Sequence, residues 1–252
     1  MEKHNSGNCT GKLYIVGIGP GGPEDRTRRA EKAIAASNVV AGYKMYLELI
    51  EDLTEGKELI SSGMTRELER CRAALDRAAE GNVVALVSSG DAGIYGMAGL
   101  ALELAAAENP GVPIEIIPGV TSAVAAASRL GSPLMLDYAT ISLSDLLMPW
   151  ETIRQRIEAV AQADLVVALY NPKSKKRSAH LEETVAILLA ARPAATPVGI
   201  VTDAGRNGET IVITDLASVL EQEINMRSIV IVGNTTTKVI DGNMVTPRGY
   251  QI

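Results

Sequence analysis

Apolar and polar positions along the chain alternate between short buried runs and longer amphipathic stretches. The run 83–87, Val-Val-Ala-Leu-Val, is apolar throughout and rich in β-branched residues, which predicts a strand covered on both faces, as in a parallel sheet. It stops abruptly in Ser88-Ser89-Gly90-Asp91-Ala92-Gly93-Ile94-Tyr95-Gly96, and a helical pattern over 95–107 follows at once. The N-terminal half repeats this rhythm. Strands are predicted at 12–17, 38–42 and 112–117, and helices at 24–37, 43–50, 64–80 and 123–130, the third stopped by Gly81.

The stretch 131–138, Gly-Ser-Pro-Leu-Met-Leu-Asp-Tyr, breaks the strand–helix rhythm and is the best linker candidate. The expected organisation is a flexible tail over 1–11, one α/β domain over 12–135 and a second over 138–252. In the second half strands are predicted at 139–143, 165–170, 197–202, 209–213 and 228–232. Helices are predicted at 150–163, 178–191 and 216–224. Segments 235–240 and 243–246, split by Asp241-Gly242, read as a terminal hairpin. The fold class is therefore α/β, with a mainly parallel sheet first and a mixed sheet second.

Composition narrows the picture. The aromatic share is 3%, with no Phe and one Trp, so the core is built from Val, Ile, Leu, Ala and Met. That suits sheets covered by helices. A net charge of −6 gives no basic footprint for nucleic acid. Two Cys and two His, without CxxC or HxxxH spacing, predict no zinc site and no disulfide scaffold, and fit a reducing cytoplasm. Residues 1–10 have no signal-peptide core, and no apolar run reaches membrane-spanning length. A soluble cytoplasmic protein is expected.

The candidate chemistry lies where strands end. Three predicted strands exit into small-residue loops: Gly17 to Gly22, Gly90 to Gly96, and Gly119 to Ser122. In a parallel sheet all three share one rim, which is where ligands of open α/β sheets bind. Glycines there let backbone approach a ligand closely. Asp91, the only charge in the exit after strand 83–87, is read either as a hydroxyl or cation partner or as the cap of the next helix. The text Gly17-x-Gly19-x-x-Gly22 matches a dinucleotide fingerprint, but Pro20 removes a donor and no acid closes the second strand. It is not a Walker A loop either.

Taken in order, Gly17-Ile18-Gly19-Pro20-Gly21, Ser89-Gly90-Asp91, Pro118-Gly119-Val120-Thr121-Ser122 and Tyr170-Asn171-Pro172 resemble the motifs of the tetrapyrrole methylases. These are S-adenosylmethionine (SAM) methyltransferases of two α/β domains with the cofactor cleft between them. Within that family, stretches 41–47, 62–64, 143–150, 170–173 and 203–209 resemble the branch acting on precorrin-3B or cobalt-factor III in cobalamin biosynthesis. The resemblance implies methylation of C17 coupled to ring contraction, release of S-adenosylhomocysteine, an anionic tetrapyrrole as partner, and a homodimer. A different tetrapyrrole substrate, such as another precorrin or uroporphyrinogen, and a non-catalytic SAM- or tetrapyrrole-binding module are the alternatives. An appended iron–sulfur domain is not expected from two Cys.

Carried over residue by residue, the resemblance implies cofactor contacts by Pro20, Ser89, Gly90, Asp91, Ile94, Thr121, Ser122, Tyr170, Asn171 and Ala204. Candidates for the substrate carboxylates are Arg26, Arg28, Arg29, Lys44, Arg206 and the run 173–177 beginning at Lys173, against the plainer reading of solvated charge. Asp91, Tyr43, Tyr46 and Asp203 are candidates for proton transfer. Any cobalt would arrive with the macrocycle, because no protein ligand set for a metal is legible.

Overall fold

Apolar β-branched runs need cover on both faces, and in the computed structural model, which describes residues 11–174 and 177–251, they form two sheets in two compact units, Met1–Thr121 and Ser122–Ile252. The first unit contains β1 (Lys12–Gly17), α1 (Arg28–Ala36), β2 (Val39–Tyr43), α2 (Lys44–Glu48), β3 (Glu58–Ser62), α3 (Glu67–Ala79), β4 (Val83–Ser88), α4 (Ala98–Glu108) and β5 (Ile114–Ile117). Its sheet is wholly parallel, in the order β3-β2-β4-β1-β5.

Alternation along β1 sorts its side chains between two cores. Leu13 and Ile15 join Leu86 and the buried faces of α3 and α4. Val16 joins Val40, Val87 and the inner residues of α1 and α2, Ala30, Ile34 and Leu47. The sheet is thus buried on both sides, as its unbroken apolar runs demand.

Two boundaries differ from expectation. The helix predicted from residue 24 starts at Arg28, because the Thr27 hydroxyl caps it by accepting the Ala30 N–H at 3.1 Å; Pro23–Asp25 is a separate 3₁₀ turn. Strand β3 was not expected at all. It is a half-exposed edge strand with polar residues on both faces, so no hydrophobic run announces it.

The second unit contains α5 (Ser122–Leu130), β6 (Gly131–Ser132), β7 (Tyr138–Ser142), α6 (Trp150–Gln162), β8 (Val166–Tyr170), α7 (Ala179–Ala191), β9 (Pro197–Thr202), β10 (Thr210–Asp215), β11 (Ser228–Val232), β12 (Lys238–Ile240) and β13 (Asn243–Val245). Its main sheet is mixed, in the order β10-β9-β11-β8-β7; only β7 and β8 are parallel neighbours. Ile153 and Ile157 of α6 and Val185 and Leu188 of α7 pack against Leu169, Ile200 and Val230.

Helix α5, read from sequence as the end of the first domain, belongs to the second unit. Leu130 fills the space a side chain at Gly199 would take, with Leu130 Cδ2 2.6 Å from the position of a Cβ there. The Tyr170 hydroxyl accepts the Ala123 N–H at 3.0 Å and fixes the other end of α5. The stretch 131–138 opens not as free linker but as β6, which pairs with β13. The Asp-Gly hairpin forms as expected, with Asp241 and Gly242 both at positive φ (47° and 78°). The helix predicted over 216–224 is reduced to one 3₁₀ turn, Val219–Glu221, because Gln222 returns to extended backbone after Leu216 and Val219 are buried.

Candidate functional site

Strands β4, β1 and β5 are neighbours, and Gly17 stands level with Ser88 in the register. Their carboxyl-end loops therefore emerge side by side in the first unit and are knitted together. Ile18 N donates to Ser88 O at 2.9 Å, and Gly19 and Gly90 exchange N–H···O bonds of 3.1 and 2.7 Å. Gly19 and Gly90 both need positive φ for this, 77° and 67°. At Gly17 and Gly119 the requirement is space. A Cβ on Gly17 would stand 2.7 Å from Gly119 N and Gly90 O, and one on Gly119 would stand 2.7 Å from Gly17 C and closer still to Gly90 O. Those glycines make room for one another's backbone.

Asp91 locks this arrangement. Its Oδ2 accepts the Gly119 N–H at 2.9 Å, joining the β4 exit to the β5 exit, and its Oδ1 accepts the Gly93 N–H at 2.8 Å. The sequence reading of Asp91 as cap of the following helix is corrected: α4 starts only at Ala98, with Met97 at its N-cap. Each carboxylate oxygen still has a lone pair beyond its backbone bond.

Of the other first-unit residues singled out by sequence, Gly90 stands in this knot. Pro20 lies on the neighbouring exit loop of β1 and Thr121 at the end of the β5 exit, both buried. Ser89 is half-buried, and Ile94 is exposed in the loop after Asp91. Lys44 is exposed at the first position of α2. Arg26 has a structural task. Its side chain is only 3% exposed, Nη1 pairs with Asp52 at 2.6 Å, and Nη2 donates to Leu49 O. Arg26 thereby depresses the Asp52 carboxyl below its ordinary range. Arg29 pairs with Glu115 at 3.2 Å.

In the second unit, β7, β8 and β9 end on a common rim, since β11 runs antiparallel to both β8 and β9. Asn171 and Asp203 directly follow β8 and β9, both in left-handed conformation (φ 48° and 54°), which Asn and Asp tolerate. Asn171 Nδ2 donates to Ser142 Oγ at 3.0 Å. Asp203 Oδ2 pairs with Arg227 at 3.1 Å, while its buried Oδ1 has no hydrogen-bond partner; buried Ala204 follows. Tyr170, buried at the end of β8, holds the start of α5 and so sets the place of Ser122. Arg177, from the basic run, donates to Leu143 O and, at 3.0 Å, to Asn171 O. Lys173 and Arg206 are half-buried, and residues 175 and 176 of the run lie outside the described residues.

A cavity of about 150 Å³ opens in the first unit beside the β4 exit. Ser88, Ser89, Tyr95 and Met97 form its wall there, and Tyr43, Tyr46, Met64, Glu67 and Arg70 close the rest. Tyr43 and Tyr46 pack edge to face, ring centroids 5.2 Å apart. The tyrosine pair and Met64, in the stretch 62–64, stand out in the sequence, whereas Arg70 and Glu67 read only as parts of an amphipathic helix pattern. A signal was available. Arg70 precedes Cys71, Ala74, Leu75 and Ala78 at helical spacing, which puts it on the buried stripe of α3.

The profile of the tetrapyrrole (corrin/porphyrin) methylases matches residues 12–220. The chain is 50% identical to a protein of Salmonella typhimurium named "Probable cobalt-factor III C(17)-methyltransferase", over 95% of this chain and 100% of that one. It is 49% identical to the cobalt-factor III methyltransferase of Priestia megaterium over 96% of this chain but only 45% of that protein, so it spans about half of that relative. It is 39% identical to the precorrin-3B C(17)-methyltransferase of a Sinorhizobium species, over 96% and 98% of the two chains. Among solved structures, that of the methyltransferase CobJ superposes with a TM-score of 0.89 at 33% identity, covering 94% of this chain and 100% of that one. The chain belongs to the tetrapyrrole methylase family.

Proposed function

We propose that this protein transfers a methyl group from SAM to C17 of cobalt-factor III or precorrin-3B, with the associated ring contraction, as an enzyme of cobalamin biosynthesis. The observation that carries the reading is 50% identity along the whole length of the Salmonella relative. Identities of 50% and 49% to relatives named for cobalt-factor III, against 39% to the one named for precorrin-3B, favour the cobalt-containing macrocycle as substrate.

Support for SAM comes from the knotted exits of β1, β4 and β5. Those exits are tied to one another at a strand rim, where ligands of open α/β sheets bind, and Asp91 keeps a further lone pair on each oxygen for the hydroxyl or amino groups of a ligand. Pro20, Ser89, Gly90, Asp91, Ile94 and Thr121 would hold the amino-acid and ribose part of SAM from the first unit. Ser122 would join Thr121 at the cofactor's polar groups, Asn171 and Ala204 would line the adenine side, and Tyr170 would be a further cofactor contact. The bound cofactor supplies a methyl group on a sulfonium, which leaves by direct displacement. The chain's own contribution is then to fix donor and acceptor in line and to exclude water, and positioning of that kind is worth roughly 7–11 kcal/mol in favourable cases. Among the candidates for proton transfer, Tyr43 and Tyr46 line the cavity beside the β4 exit, and Asp91 and Asp203 do not. The tyrosines are the better candidates on that ground.

We further propose a cytoplasmic homodimer acting on a small anionic substrate. Among the described residues, no helix is long and apolar enough to cross a membrane. Calorimetric titration with SAM and S-adenosylhomocysteine tests the cofactor. Incubation with SAM and a panel of precorrins, cobalt-factor III and uroporphyrinogen, followed by mass and absorbance changes, tests the substrate. Failure to bind either SAM or its product at millimolar concentration overturns the reading.

A further inference from the structure

We propose that Arg70 anchors one acetate or propionate arm of the macrocycle in the cavity beside the β4 exit, and so sets how the ring is held. This rests on the tetrapyrrole-methylating reading above. Arg70 is almost wholly buried, 4% exposed as a residue, and its buried Nε has no hydrogen-bond partner. Its hydrogen bond runs from Nη2 to Gly63 O at a long 3.3 Å, and the guanidinium sits 6.0 Å from the centre of the Tyr43 ring.

The contrast with its neighbours is what points to a missing anion. Arg66 pairs with Glu69, Arg72 with Glu108 and Arg77 with Glu58 and Glu80, all in partly exposed settings. Arg70, the buried member of the group, has no carboxylate partner among the described residues. Glu67 lines the same cavity one turn earlier and still makes no ion pair with it. A buried charge without a counter-charge is costly, and such a group in a native fold calls for an occupant. Ser62, which pairs in register with Tyr43, adds a second buried polar atom with no partner, its Oγ.

Size and shape select the occupant. The cavity, about 150 Å³, is well above the roughly 10–15 Å³ needed to admit one water. A carboxylate arm fits; a macrocycle does not. Tyr43, Tyr46 and Met64 line the cavity and offer largely apolar side chains to the stem, and the guanidinium fork suits a carboxylate at its end. Because the cavity shares Ser88 and Ser89 with the β4 exit, an arm held there places the ring edge near the loops proposed to hold SAM.

The test uses the full chain, with Arg70→Met and Arg70→Lys. Dissociation constants for SAM and for the tetrapyrrole are measured separately, together with kcat and KM. Arg70→Met is expected to weaken tetrapyrrole binding about 10- to 100-fold, the range for a charge-assisted hydrogen bond, with SAM affinity within about twofold of the parent. Arg70→Lys is expected to recover part of the loss. If Arg70→Met binds SAM and the tetrapyrrole as the parent does, the anchor is overturned while the methyltransferase reading stands. If the unaltered protein methylates no tetrapyrrole, it is the functional reading that falls. Should the Met variant not fold, the unaltered protein is titrated with a macrocycle whose carboxylates are esterified. Retained affinity overturns the anchor, and loss of affinity with an intermediate Arg70→Lys supports it.

Discussion

Asp91 Oδ2 accepts the backbone N–H of Gly119 at 2.9 Å, so the exit of β4 is tied to that of β5 across the end of β1. Residues 28 positions apart in sequence thus fix the spacing of two loops proposed to hold the same cofactor. Replacing Asp91 by Ala strands the N–H groups of Gly93 and Gly119. Chemical unfolding should show a loss of about 1–3 kcal/mol, and SAM affinity by calorimetry should fall at least about tenfold. A stability loss with unchanged SAM affinity would confine Asp91 to holding the loops.

The glycines of the knot predict a sharp difference between two outwardly similar substitutions. Gly119→Ala must push a Cβ against the backbone of Gly17 and Gly90, whereas Gly99→Ala, near the start of α4, meets nothing within 4 Å. Unfolding curves should show Gly119→Ala destabilised by about 1–3 kcal/mol or more. Gly99→Ala should gain up to about 0.4–1 kcal/mol by restricting the unfolded chain. Equal effects at the two sites would contradict the packing described.

Much of this was legible in the sequence, for a physical reason. Strands β1, β4, β8 and β9 are buried on both faces, so their apolar runs are unmistakable, and the small-residue exits follow directly. What escaped notice has little hydrophobic signature. Strand β3 is an exposed edge, and α5 joins the second unit through Leu130 against Gly199, a contact between distant positions. The local text at Asp91 allows either a helix cap or a ligand contact, yet Gly119, far along the chain, supplies its partner. Arg70 hid within an arginine-rich helix pattern in which only its phase marks it as buried.

Cys71 offers a check on the α3 core. Burial among Ala74, Leu75 and Leu86 pushes its thiol up to about 11, so at pH 8 the thiolate is scarce and shielded. The neutral thiol is the ordinary state through the whole physiological range, and its stability contribution is lost only as pH rises towards that value. Peptide mapping after alkylation of the native protein at pH 8 should find Cys71 unmodified, and denaturant should expose it. Rapid modification without denaturant would mean that α3 does not pack as described.

The proposed reaction is methyl transfer to C17 of a cobalamin precursor. Its most direct test is incubation of the full chain with cobalt-factor III and SAM carrying an isotopically labelled methyl group, followed by mass spectrometry and NMR of the macrocycle. One labelled methyl at C17, with S-adenosylhomocysteine released in equal amount, is the predicted result. A label on another ring carbon, or an unlabelled macrocycle recovered from protein that has bound SAM, would contradict it.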